Sequence, residues 1–282
     1  MNILPRDTQA AILRALVEGN SMRATARLCG VSRNTVASLL KIVGAHCKNH
    51  HDRFVVNVNA SRIQADEIWS FVGSKEKNTT PERKAKGDGD CWTWVALDPD
   101  SKLVVSYRVG TRDGSVAYAF MQDLADRLTN RVQLTTDALN QYLGAVESAF
   151  GWNGVDYARL IKIFGASTVA LGKYSPAKLV RTEKHWVMGT PDAAHVSTSL
   201  VERQNMTMRM QMRRFTRLTN AFSKKVEFHL YAVALHYTYY NYCRPHTTLN
   251  RSHGRPTTPA MAAGLAEKPW SIDDLLNLLH GN

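Results

Sequence analysis

Arg62-Ile63-Gln64-Ala65-Asp66-Glu67-Ile68-Trp69-Ser70-Phe71-Val72 is the stretch on which the reading of this chain turns. Apolar and polar residues interleave in it, and β-branched and aromatic residues recur, which is the pattern of a strand. Two adjacent carboxylates, Asp66 and Glu67, stand at its middle. Neighbouring strand residues face opposite sides, so only one of the two can join a given site. Asp66 is preferred, because the alternation sets Ile68 on the same, inward side, in the layer that would support a metal site. Glu67 is the competitor.

Two further carboxylates occupy related settings. Asp137 ends a second strand-like run, Val132-Gln133-Leu134-Thr135-Thr136-Asp137. Glu202 lies near the start of a long, arginine-rich helical segment from Thr198 to Arg217. At ~100° per residue, Glu202, Asn205, Arg209 and Arg213 fall on one narrow helical face. Val201, Met208, Met212 and Phe215 form an adjoining apolar stripe that can dock on a sheet. Such a helix suits a DNA backbone, with its carboxylate at metal ions and its guanidiniums on phosphates. Arg203, Arg214, Arg217, Lys224 and Lys225 add positive charge nearby. The plainer alternative is an amphipathic surface helix with solvated arginines. Two strand carboxylates and one helix carboxylate can hold a pair of hard cations roughly 3.5–4 Å apart, which activate a water or a DNA 3′-hydroxyl.

The elements between the carboxylates point to a mixed α/β fold. Cys91–Leu97 and Leu103–Val109 flank the turn Asp98-Pro99-Asp100-Ser101, a hairpin pattern. A helix is expected from about Ser115 to Leu128, before the Asp137 strand. Three antiparallel strands, a helix and a parallel strand are the core order of ribonuclease H-like nucleases. In that topology the first and fourth strands are neighbours, which brings Asp66 and Asp137 together. Residues 74–90 read as a charged, mobile loop, and Leu139 to Phe150 as helix. Tyr157 to Phe164 fits helix or strand, and Lys173 to His195 a basic loop or hairpin. Trp69, Trp92 and Trp94 fit core packing better than base stacking. The apolar segment Val226 to Tyr242 reads as core or a subunit contact.

Residues 8–46 read as helix throughout. Thr8 is expected to cap a first helix, Ser21 a second over Met22–Cys29, and Ser32 a third over Arg33–Val43. Gly30-Val31 makes the intervening turn, the pattern of a helix-turn-helix. Arg33, Asn34, Thr35 and Ser38 would then face a major groove, although small helical bundles share the pattern. Residues 47–60 read as a polar linker, and His46, His50 and His51 at its start are expected to be solvated rather than metal-bound.

Composition agrees with a nucleic-acid partner. The 282 residues carry 36 basic and 24 acidic side chains, a net charge of +12, which favours a polyanion through counterion release. At 44% hydrophobic the chain can bury a core. Its four cysteines, Cys29, Cys47, Cys91 and Cys243, are far apart and form no CxxC pair, so a zinc ribbon or finger is not expected and reduced thiols are. No signal peptide, membrane span or internal repeat is expected.

Three motifs resemble the DDE transposases of bacterial insertion sequences, and most of all the family typified by insertion sequence one. They are Asp66-Glu67-Ile68-Trp69-Ser70-Phe71-Val72-Gly73-Ser74-Lys75, Thr136-Asp137-Ala138-Leu139 with Tyr142, and Ser199-Leu200-Val201-Glu202-Arg203-Gln204-Asn205 with Arg209. The third motif runs on to Phe222-Ser223-Lys224-Lys225-Val226-Glu227. Tyr240-Asn241-Tyr242-Cys243-Arg244-Pro245-His246 is similar to a tail of integrase-core insertion sequences. The resemblance spans roughly residues 60–262. It implies that Asp66, Asp137 and Glu202 bind two Mg²⁺ ions, for which Mn²⁺ can substitute. It also implies that Arg209 contacts DNA near the scissile phosphate. The partners would be double-stranded DNA, as inverted-repeat ends and target, and further copies of the chain on that DNA. The location would be cytoplasmic, at the nucleoid. Some relatives begin with a cysteine-rich zinc module that this chain lacks, which leaves end recognition to the helix-turn-helix.

The expected organisation is a helix-turn-helix domain over 1–46, a linker over 47–60, and a ribonuclease H-like catalytic domain over 61–225. An insertion around 151–195 and a helical tail over 226–282 complete it. The competing functions are a DNA-binding regulator with an inactive transposase-derived domain and a structure-selective nuclease of the same fold.

Overall fold

The computed structural model describes residues 4–165, 178–216 and 220–280. A six-stranded mixed sheet lies at its centre, in the order β3-β2-β1-β4-β5-β6. The strands are β1 (Arg62–Val72), β2 (Gly89–Leu97), β3 (Val104–Gly110), β4 (Val132–Thr136), β5 (Val155–Phe164) and β6 (Leu179–Met188). β1, β2 and β3 form an antiparallel meander, β4 joins β1 in parallel, and β5 joins β4 in parallel. The first and fourth strands are therefore neighbours, as expected, and the sheet is consistent with a ribonuclease H-like fold.

Alternation along β1 sorts its side chains between two cores. Ile63 and Ala65 face one side, where they pack with Trp94, Phe120 and Tyr142 from β2, α5 (Gly114–Arg127) and α6 (Gln141–Phe150). Ile68 faces the other, with Val201, Met208 and Met212 from α7 (Ser199–Gln211) and its C-cap, and Val233 and Tyr237 from α8 (Val226–Thr238). The apolar stripe expected on the Glu202 helix thus docks on the sheet, with Phe215 beside it. Trp94 is fully buried, while Trp69 and Trp92 are half-buried.

Residues 151–195, expected to be an insertion, supply β5 and β6, although 166–177 lie outside the described residues. β5 is a parallel neighbour of β4, so this stretch is part of the sheet itself. The loop over 74–90 contains a 3₁₀ turn, Glu76–Asn78, and one short helix, α4 (Pro81–Lys84), which Thr80 caps.

At the N-terminus, α1 (Arg6–Val17) starts after Pro5, so Thr8 lies inside the helix and is not its cap. Ser21 and Ser32 do cap α2 (Met22–Leu28) and α3 (Arg33–Phe54), each accepting a backbone N–H. Gly30 turns the chain between them with φ +65°. α3 does not stop at Val43. It runs to Phe54, through most of the expected linker, because Leu40, Val43, Gly44, Cys47 and His51 continue its buried face. A glycine, a cysteine and a histidine on that face disguise it as polar sequence.

His50 and His51 are accordingly not solvated. His51 is buried against Tyr107, and burial holds its pKa well below the ordinary value. His50 packs among Phe54, Tyr242 and Trp270, and burial pushes it down to about 4.

The apolar faces of α1–α3 share one core with Ala234 and Leu235 of α8 and with Leu275 and Leu276 of α11 (Ile272–Asn277). Two short helices, α9 (Thr247–His253) and α10 (Pro259–Ala262), precede α11. α3 approaches α8 closely at Gly44, where a Cβ would lie 2.5 Å from the Tyr231 Cβ and 2.7 Å from its backbone. Gly44→Val is therefore expected to lose about 1–3 kcal/mol or more through overpacking. A urea melt reads this directly, and an unchanged midpoint would exclude the close approach. No helix among the described residues is long and apolar enough to cross a membrane.

Candidate active site

The register of β1 and β4 ends at Ala65 opposite Thr136, so Asp66 and Asp137 are the next residues on two adjacent parallel strands. One carboxylate oxygen each from Asp66, Glu67 and Asp137 lies within 4.8 Å of the others. Asp66 points to the α7 side, where the Asn205 amide donates to its Oδ2 at 2.8 Å. Glu67 points to the α5–α6 side, and its side chain is 1% exposed. It takes part in the cluster because Asp137, one residue past its strand, lies between the two faces. Asp137 Oδ1 accepts the Leu139 N–H at 2.9 Å, which fixes its direction.

Bringing these charges together has a cost that shows in their protonation. Burial, and then the Asp137 charge, pushes Asp66 up to about 6, with Glu202 adding to the effect and the Asn205 amide opposing it. Burial and the Asp137 charge likewise push Glu67 up to about 7, while Tyr142 and Arg112 act against the shift. Glu67 Oε1 and the Tyr142 hydroxyl are both buried without a well-formed hydrogen bond.

Arg112 is a residue that sequence reading missed. It follows β3, donates to Glu67 Oε2 at 3.1 Å, and comes within 3.8 Å of Asp137. Its guanidinium lies 4.6 Å over the Trp92 ring, which fixes its plane. An arginine in a loop between a strand and a helix carries no local signal for this role, since only the sheet order brings it to Glu67.

Glu202 stands outside the 4.8 Å group. Its Oε1 accepts from the Thr198 hydroxyl at 2.5 Å and is also held by the Lys162 ammonium from β5. Of the residues expected on DNA, Asn205 is 7% exposed and bound to Asp66, so it positions that carboxylate. Arg209 is half-buried. α7 ends at Gln211, so Arg213 leaves the helical face and lies exposed in the following 3₁₀ turn. Arg217 lies outside the described residues. In α3, Arg33, Asn34 and Ser38 are exposed, whereas Thr35 is half-buried with its hydroxyl bonded to Ser32.

The donor set fits a hard divalent cation. It consists of carboxylate oxygens, with neither imidazole nor thiolate among them. Two of the three have raised pKa values, and a cation would relieve that strain. Cation binding at Asp66 requires its deprotonated form, so it is expected to strengthen as pH rises through about 6. Calorimetric titration with Mn²⁺ at pH 5, 6.5 and 8 checks this, and equal affinity at pH 5 and pH 8 would contradict it.

No protein-family model matches the chain, and no characterised protein matches its sequence. Among solved structures, the chain is similar to a piggyBac transposase in a cryo-EM structure of its synaptic complex with hairpin DNA. The identity is 10%, the match covers 99% of this chain and 71% of that chain, and the TM-score is 0.40. A likeness at that level bears on neither function nor mechanism.

Proposed function

We propose that this chain is a metal-dependent DNA strand transferase of the DDE type, a transposase that cuts element ends and joins the 3′-hydroxyl to target DNA. The observation that carries the reading is the register placing Asp66 and Asp137 side by side, with α7 crossing beside them and its Asn205 on Asp66. Asp66, Asp137 and Glu202 are the proposed ligands of two Mg²⁺ ions. Those ions would activate the attacking oxygen and stabilise the leaving one.

Two carboxylates compete for the third position, and each is held by a cation. The Glu67–Arg112 pair has its carboxylate 1% exposed, so removing Arg112 would leave a buried charge. The Glu202–Lys162 pair is 40% and 28% exposed, a weak interaction in solvent that another cation readily replaces. These facts favour Glu202 as the third ligand and assign Glu67 to holding Arg112.

The chain's other residues divide the remaining work. Asn205 orients Asp66, and Arg209 lies two turns after Glu202 on the same helix, the position proposed to meet the DNA near the reacting phosphate. Arg33, Asn34 and Ser38, at the start of α3, are proposed to read the element end in a duplex groove, with Thr35 bracing the turn through Ser32. A homo-oligomer on paired ends is part of the same proposal. The Lys162–Glu202 pair also suits an inactive, DNA-binding relative. The deciding experiment is Mg²⁺-dependent cleavage of DNA carrying the repeats that flank the gene. Metal-dependent 3′ nicking supports the transposase, whereas specific binding without nicking supports the regulator.

A further inference from the structure

The ammonium of Lys162 rests on Glu202, the side chain proposed above as the third metal ligand. The sheet explains how it gets there. Gln64 of β1 accepts the Leu200 and Val201 N–H groups of α7, so its side chain marks the α7 face. Gln64 lies opposite Thr135 of β4, and Thr135 lies opposite Ala158 of β5. Opposite residues share a face and every second residue returns to it, so Ala158, Leu160 and Lys162 all face α7. β4 stops at Thr136, opposite Arg159, whereas β5 runs on to Phe164. Lys162 therefore stands about 10 Å beyond the last paired residue of β4, at ~3.3 Å per residue. Past that end β1 and β5 flank a gap one strand wide, and Asp137 stands at its edge.

Glu202 is drawn toward the β5 side of this gap. Lys162 and the Thr198 hydroxyl both sit on its Oε1, and it stays outside the 4.8 Å group of Asp66, Glu67 and Asp137. β5 lies two strands from β1, about 10 Å at ~4.8 Å per strand. A carboxylate tethered to Lys162 is thus held away from Asp66, and to share an ion with Asp66 it has to leave the tether. Both partners are open to solvent, at 28% and 40%, so either can be exchanged. Among the described residues Lys162 makes no other ion pair, and its neighbours on that face, Ala158 and Leu160, are apolar. Displaced from Glu202, its ammonium needs a new anion. The anions that a strand transferase brings to its carboxylates are phosphates.

We propose that Lys162 competes with a divalent cation for Glu202 and, once displaced, contacts a DNA phosphate. Lys162 has this role only if Glu202 is the third ligand, as proposed above. The exchange couples two binding events. A metal ion on Glu202 frees the ammonium for a phosphate, and a phosphate on the ammonium keeps it off Glu202, so each ligand strengthens the other.

The competition is tested by a double-mutant cycle, read by Mn²⁺ calorimetry on the full chain at pH 8 without DNA. Lys162→Met should tighten Mn²⁺ binding about three- to fivefold, the size of a solvent-exposed ion pair. In a Glu202→Gln background the same change should alter affinity by less than about 1.5-fold, because the contested charge is gone. Lys162→Arg, which keeps the cation, should stay within about twofold of the wild type. Melting temperatures verify folding of each variant. Equal tightening in both backgrounds would make Lys162 a bystander charge and overturn the competition. Fluorescence anisotropy of a labelled duplex carrying the flanking repeats tests the second partner, in EDTA and in Ca²⁺, a hard cation for the same oxygen ligands. Lys162→Met should weaken duplex binding less than about twofold in EDTA and about fivefold or more in Ca²⁺, with the salt slope smaller by about 0.9 in Ca²⁺ alone. Equal losses in the two conditions would overturn the exchange. Glu202→Gln with unchanged Mn²⁺ affinity would remove Glu202 from the ligands and Lys162 from this role together. Glu202→Gln with weakened Mn²⁺ affinity and Lys162→Met without effect would overturn the competition and leave Glu202 a ligand.

Discussion

Asp66→Asn is expected to lower Mg²⁺-dependent strand cleavage by about 10³-fold or more, while the protein becomes more stable at pH 8. The first effect follows from removing one of two carboxylates that the β1–β4 register places side by side. The second follows from protonation. Asp66 titrates at about 6 rather than at the ordinary 3.8, mainly because it is buried. A carboxyl raised in the folded state binds its proton more tightly there than in the unfolded chain. Stability therefore falls as pH rises from about 4 to about 6, and the full penalty is present above that window. Asparagine carries no charge and can still accept from the Asn205 amide. Its melting temperature should exceed that of the wild type at pH 8 and match it near pH 4. Added Mn²⁺ should raise the melting temperature of the wild type and leave the variant unmoved. Cleavage retained within tenfold would remove Asp66 from the site.

Glu202→Gln and Glu67→Ala should separate chemistry from folding. Glu202→Gln is expected to abolish cleavage, again by about 10³-fold, with little change in stability. Its bond to Thr198 survives the substitution, and the pair with Lys162 that it loses is solvent-exposed. Glu67→Ala should instead cost about 2 kcal/mol of stability near pH 5, where Glu67 is protonated, through the cavity it leaves, because Arg112 is 37% exposed and can turn to water. Glu67→Gln, which keeps an acceptor for Arg112, should retain cleavage within about tenfold while Glu202→Gln does not. The opposite pattern, with Glu67→Gln inactive and Glu202→Gln active, would transfer the third ligand to Glu67 and leave Glu202 as the partner of Lys162.

The rivalry between these two glutamates shows where local sequence stops being informative. Strand alternation puts Asp66 and Glu67 on opposite faces, and the structure agrees: Asn205 meets one and Arg112 the other. Alternation does not reveal that a third residue, Asp137, would sit between the faces and gather both. Nor does the helical period of the Glu202 segment extend past Gln211, where the chain leaves the helix and carries Arg213 off its face into a 3₁₀ turn. Helix ends are set by what the last turn packs against, and periodicity does not encode that.

Local chemistry alone determined the strands through Asp66 and Asp137, the hairpin between them, the Ser21 and Ser32 caps and the apolar stripe of α7. Each depends on side-chain alternation, helical period or a single hydrogen bond within a few residues. Tertiary structure decided the rest. It extended α3 to Phe54, because Gly44 and Cys47 are buried only once α8 covers them and His51 only once Tyr107 does. It made residues 155–164 a sheet strand by giving them β4 as a neighbour. It put Asn205 on Asp66, Arg112 on Glu67 and Lys162 on Glu202. These pairs join residues 139, 45 and 40 positions apart. At such separations the partner of a polar group is set by which faces pack together, and no local pattern records it.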